Sequence, residues 1–223
     1  MDLAGGQREY NNNLEVTQYD VERQHQLAYS FALGLSQDPK SVMALTGCDP
    51  NSRVAQDCRG QFLECFLPQV FRRPATPEEL TEMELVFTNG EQLGGDFQSG
   101  VRAVVEVALQ SPELLYLVEL GDRTLPSPPG LVALTSYETA ARLSFFLAGS
   151  PPDAELISVA AQAGLRAASQ VEAQARRLLS EPEAREVVRQ FYARLMNLSD
   201  VGAPGLQRNQ PTHTLEILQL SLK

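Results

Sequence analysis

Apolar residues recur along most of the chain three and four positions apart, the spacing that puts one face of an α-helix against a core. The clearest case starts near Asp96, where Phe97, Val101, Val104, Val105, Ala108 and Leu109 fall at i, i+4, i+7, i+8, i+11 and i+12. A first helix is predicted from about Thr17 to Leu35, with Thr17 and Asp20 placed to take up free N–H groups. Residues 36–53 read as a loop with one short helix after Asp38-Pro39. The next helix carries Cys58, Phe62, Cys65 and Phe66 on one face, and Pro68 should kink or break it, because proline lacks the N–H and clashes with the preceding turn.

Thr76-Pro77-Glu78-Glu79 has the pattern of a capping box, and Asn89-Gly90 reads as the C-cap that closes that helix. Ser111-Pro112 opens a short apolar helix, LLYLVEL, that ends at Gly121. Thr135 with Glu138, and Ser169 with Glu172, form further capping boxes. The helix YETAARLSFFLAG is apolar almost all round in its second half, which predicts a central, buried position. Ser150-Pro151-Pro152-Asp153 starts the next helix, and Pro182 opens a long one with Val188, Phe191, Leu195 and Leu198 on one stripe. Residues 212–223 again read as helix, ending without a stop signal, as a truncated or docked terminal helix would.

No alternating β pattern appears, so the fold class is all-α, with about eight or nine helices in two packed subdomains. The expected division is a tail over 1–16, a helical domain over 17–121, a linker over 122–134 rich in proline and glycine, and a second helical domain over 135–223.

A net charge of −10 disfavours a nucleic-acid backbone or an anionic membrane as the main partner. Arg72-Arg73 and Arg176-Arg177 are the paired basic residues, and solvated helix-face charge accounts for them. No apolar run approaches the roughly 20 residues that span a bilayer. The stretch MDLAGGQREYNNN has neither the basic nor the apolar region of a secretory signal, which leaves a longer parent open.

Candidate chemistry is sparse. Cys58 and Cys65 on one helix would stand about 10 Å apart, too far for a disulfide. Cys48 in a loop can reach Cys58; the other reading of the spacing is three free thiols in a cytosolic protein. Neither a zinc set nor a CxxCH haem-attachment site is present, and phosphate loops are absent, so no cofactor is expected in this chain. His25 and His213 have no nucleophile near them in sequence and read as surface residues. Glu172/Arg176 and Glu181/Arg185 are expected surface pairs. Glu106, one turn after Arg102, sits in VVEVAL, and Glu138 sits one turn from Arg142 in an apolar helix; charges so flanked should be paired or line a cavity. An internal Glu138–Arg142 pair is the favoured reading. The functional alternative is a polar site between the two halves built from Arg142 and Asp153.

Several segments in order, YNNNLE from Tyr10, CRGQFLECFLPQVFRRP from Cys58, SPELLYLVELG from Ser111, TSYETAARLSFFLAGSPPD from Thr135, and Gln174 to Leu198, resemble the middle region of the large exported planctomycete-type cytochrome-associated proteins of unknown function, also common in myxobacteria. The resemblance covers roughly residues 8–210, and its most specific part is FRRPATPEE followed by LSFFLAGSPPD. It implies an exported or envelope location and a longer parent that carries haem c downstream. It also implies a Cys48–Cys58 disulfide with Cys65 as a spare thiol. Those proteins usually carry tryptophan where this chain has Ala148 and Leu195, and an acid where it has Ala154, which sets any shared ligand pocket apart. The resulting expectation is a non-catalytic scaffold or docking module whose partners are other domains of the parent or a redox protein. The alternatives are an oxidoreductase or hydrolase with a site near Arg142 and Asp153, and a cytosolic helical interaction protein.

Overall fold

Most helices begin where a side-chain oxygen takes up an N–H group that the first turn leaves free. In the computed structural model, which describes residues 16–48 and 55–196, Thr17 and Asp20 bond each other's backbone N–H to start α1, Gln18–Gln37. Asp38 accepts from Lys40 and Ser41 to start α2, Pro39–Thr46. After α3, Ala55–Phe71, the Thr76/Glu79 box opens α4, Pro77–Gly94, and Asp96 opens α5, Phe97–Ala108. Ser111 caps the single turn α6, Pro112–Leu115. The Thr135/Glu138 box opens α7, Ser136–Leu147, and Asp153 opens α8, Ala154–Ala161. Helices α9, Ala168–Ser180, and α10, Pro182–Leu195, complete an all-α fold of ten helices rather than eight or nine among the described residues.

Two separate clusters of buried side chains hold these helices. The larger draws on α1 to α5 and has an aromatic centre. Phe62 lies 5.2 Å from Phe66 and 6.4 Å from Phe87, and Phe87 meets Phe97 edge-on at 5.3 Å. Helices α4 and α5 cross closely here: a Cβ on Gly100 would fall 2.6 Å from the Phe87 ring, and one on Gly90 would fall 2.5 Å from the Ala103 Cβ. The smaller cluster is Ala140, Leu156, Ala160, Leu165 and Leu178, from α7, α8, the turn after α8, and α9.

Several expectations change in this light. Gly90 does not cap α4; it lets α5 approach, and the αL cap is Gly95, at φ 84. Pro68 does not break α3, because Leu67, Val70 and Phe71 around it are buried in the larger core and their packing outweighs one missing hydrogen bond. Cys65 leaves the buried face of Phe62 and Phe66 and is exposed. Residues 116–120 are not helical, since outside groups take their backbone: Arg72 bonds the Tyr116 carbonyl and Glu138 bonds the Leu120 N–H. The apolar half of α7 is not central. Ala140, Ala141 and Ser144 are buried, but Phe146 is 75% exposed, because α8 and α9 cover only one side of the helix. Ser169 does not cap α9, which starts at Ala168; Gln170 bonds the Ala167 N–H instead. Residues 122–133 do not run as an extended spacer: the Asp122 N–H bonds the Ala133 carbonyl at 2.7 Å, closing them into a loop. The helix expected over 212–223 and Leu198 lie outside the described residues.

Candidate functional site

The cysteines form the first fixed point. Cys48 and Cys58 are joined in a disulfide with Cα atoms 5.8 Å apart, leaving Cys65 as the free thiol. The bridge ties the end of α2 to α3 at the edge of the larger core. Thr46, buried, bonds the Cys48 N–H at 3.2 Å and steadies that turn.

The three carboxylate and arginine positions singled out by sequence do not converge. Glu138 is a hub of backbone bonds: it accepts from Thr135 N at 2.7 Å, Leu120 N at 2.7 Å and Gly121 N at 2.9 Å. Burial alone would raise its pKa, but these N–H groups and the Thr135 hydroxyl together hold it below the usual glutamate value. Arg142, expected to pair with Glu138 one turn before it, points outward and meets Glu119 at 3.6 Å. Glu138 is taken up by three backbone N–H groups, while Arg142 turns to Glu119. Asp153 caps α8 through Leu156 N at 2.8 Å and receives Arg177 twice, at 2.7 and 3.0 Å. Burial acts to raise its pKa, but Arg177 and the Leu156 N–H outweigh it and the net shift is downward. Arg142 and Asp153 thus bond different partners, and Asp153, not Arg142, lines the cavity between the halves. Glu106 approaches His25 at 4.0 Å, and that histidine bonds Gln110; His213 lies outside the described residues. The Glu172–Arg176 pair forms at 2.7 Å, whereas Glu181 caps α9 and Arg185 stays exposed.

What lies between the two halves is a cavity of about 750 Å³. Pro68 and Arg72 contribute from the end of α3, and Ala148, Pro151, Asp153 and Ile157 from the other side. Arg72 sits just past the last turn of α3 at φ 56, a left-handed conformation that costs a non-glycine residue about 1 kcal/mol. It is 7% exposed. Its Nη2 donates to the carbonyls of Glu113 and, at 2.7 Å, Tyr116, and the guanidinium lies over the Phe145 ring at 5.5 Å. Burial lowers its pKa, with the Glu113 carboxylate acting in the opposite sense. Its neighbour Arg73 differs: it forms a two-pronged bond with Glu79, which raises the arginine pKa and lowers that of the glutamate. In the sequence both read as solvated charge. The signal in the sequence is that Arg72 follows directly on the apolar run FLPQVF, whose burial draws the next residue inward.

Among the described residues, no group of three or more His, Cys, Asp or Glu side chains could hold a metal ion. No described helix is long and apolar enough to cross a membrane. No curated protein and no solved structure matches the chain. Two families do match, one on each side of the closed loop. Residues 58–119 match the family described as PSD5, protein of unknown function (DUF1595), and residues 134–216 match the one described as PSD4, protein of unknown function (DUF1592).

Proposed function

We propose that this chain is a non-catalytic helical docking module of an exported, haem-c-associated protein. Its two helical domains, 17–121 and 135–223, are joined through 122–134, and it serves by holding another part of its parent, or a redox protein, in place. One observation carries this reading: the apolar stripe of α10 faces solvent. Val188, Phe191, Tyr192 and Leu195 recur at i, i+3, i+4 and i+7, and all are about half exposed or more. The helix is seated only by its other side, where Ala184 is buried and Val187 packs beside Gly149. Apolar residues at this spacing are what an amphipathic helix offers to a second helix or a groove. The disulfide is compatible with an oxidising compartment, and supports export.

A photoreactive residue in place of Phe191, activated in the source cells and followed by peptide mapping, tests this. The expected crosslinks join position 191 to peptides of a haem-bearing polypeptide. Crosslinks confined to residues 197–223 of the same chain would overturn the proposal, since the stripe would then be covered internally.

A further inference from the structure

We infer that the cavity at Arg72 is a binding site for a small apolar monocarboxylate. The inference is independent of the docking role, which rests on α10. The size fits: pockets that take small molecules span about 300–1,000 Å³ and are lined mainly by apolar groups with a few polar anchors. Here proline, alanine and aliphatic side chains, among them Pro68, Pro151, Ile157 and Leu178, share the walls with polar groups such as Gln69 and Ser150.

Arg72 supplies the anchor. A guanidinium has five N–H donors, and the two on Nη2 go to the Glu113 and Tyr116 carbonyls. Nε and Nη1 have no acceptor among the described residues, and what little of Arg72 solvent reaches borders the cavity. Both carbonyls are neutral, and the one carboxylate that acts on this cation, that of Glu113, does so without a direct ion pair. A buried charge in that state is compensated best by an anion, and a carboxylate oxygen can accept from one of the two open donors, Nε or Nη1, which lie on opposite edges of the guanidinium plane. The left-handed backbone at Arg72 fits the same reading, because strain of this kind is kept where the residue is held for a purpose beyond packing.

The rest of the lining selects the charge and shape of the ligand. Asp153 is neutralised by Arg177, but Glu181 and Glu183 are exposed at the rim. They would repel a dianion such as a phosphate monoester more than a single carboxylate. Apolar walls require an apolar body behind the charge.

Isothermal titration of the whole chain at neutral pH with phenylacetate, its uncharged twin phenylacetamide, and phenyl phosphate separates these features. Phenylacetate is expected to saturate one site with a Kd at or below about 1 mM, and the other two to bind at least tenfold more weakly. Arg72→Gln should abolish binding; because Arg72 also holds residues 113–116, Ala148→Trp provides a second check by filling the cavity from its wall. That variant is expected to keep its helical circular dichroism and melting temperature while losing phenylacetate. Equal binding of acid and amide would overturn the proposal, as would undiminished binding by folded Ala148→Trp, or no binding of phenylacetate by the wild-type chain.

Discussion

The two halves solve the same packing problem with different means. The first encloses five phenylalanines, crosses α4 and α5 at glycine contacts, and adds a covalent bridge from α2 to α3. The second encloses five residues, none aromatic, and leaves Phe146, Phe191 and Tyr192 on its surface. Its order depends on polar bonds instead: Asp153 with Arg177, Ser144 with the Pro151 carbonyl, and Glu138 with the backbone beyond Gly121. A half that keeps its aromatics outside has less to lose by exchanging one contact for another. The contrast teaches that stability and availability for binding are divided between the halves.

Four outcomes would break or sharpen that contrast. Phe62→Ala, at the centre of the aromatic group, should cost about 3–5 kcal/mol in denaturant unfolding, a loss confined to the first half. Reduction of the disulfide, or Cys48→Ser with Cys58→Ser, should cost about 2.7 kcal/mol, the chain-entropy value for a loop of this length; a melting temperature unmoved by reductant would show that the first half does not lean on its bridge. Glu138→Gln should cost about 1–2 kcal/mol by leaving N–H groups of Leu120, Gly121 or Thr135 poorly paired. Its effect should depend on pH. Glu138 and Asp153 have folded pKa values below their unfolded ones, so they stabilise the fold above the ordinary carboxylate range of 3.8–4.5, and that contribution is lost as the pH falls through the folded values. The acid-induced fall in melting temperature should thus be smaller in Glu138→Gln than in the wild type. Smallest of all, Phe191→Ser should change stability by less than about 0.5 kcal/mol, as for an exposed position, while removing partner contact. A large loss would mean that α10 is structural and the contrast is false.

Features set by neighbours in sequence were the readable ones. Thr17, Asp38, Thr76, Asp96, Ser111, Thr135 and Asp153 all cap the helices their spacing indicated, because a cap needs only a side chain and an N–H group two or three residues on. The bridge of Cys48 to Cys58, which spacing alone leaves level with three free thiols, is the pairing that the family resemblance implies. What escaped was decided across the fold. Gly90 looks like a stop until α5 is laid against it. Residues 116–120 look helical until Arg72 and Glu138, 44 and 18 residues distant, occupy their backbone. Asp153 was flagged, but its partner Arg177 stands 24 residues away, beyond any one-turn pattern. Arg72 follows an apolar run, but the carbonyls that draw it inward, at Glu113 and Tyr116, stand 41 and 44 residues away.

The clasp at Glu138 has a consequence for how such a chain can change. One carboxylate grips the backbone at Leu120 and Gly121 on one side and at Thr135 on the other, and the Asp122 N–H to Ala133 carbonyl bond repeats the closure just inside it. The intervening dozen residues therefore bear no tension between the halves. Extra chain grafted at the tip, near Pro128 and Pro129, would bulge outward like slack in a knotted cord, and the separation and orientation of the two helical bodies would stay as they are.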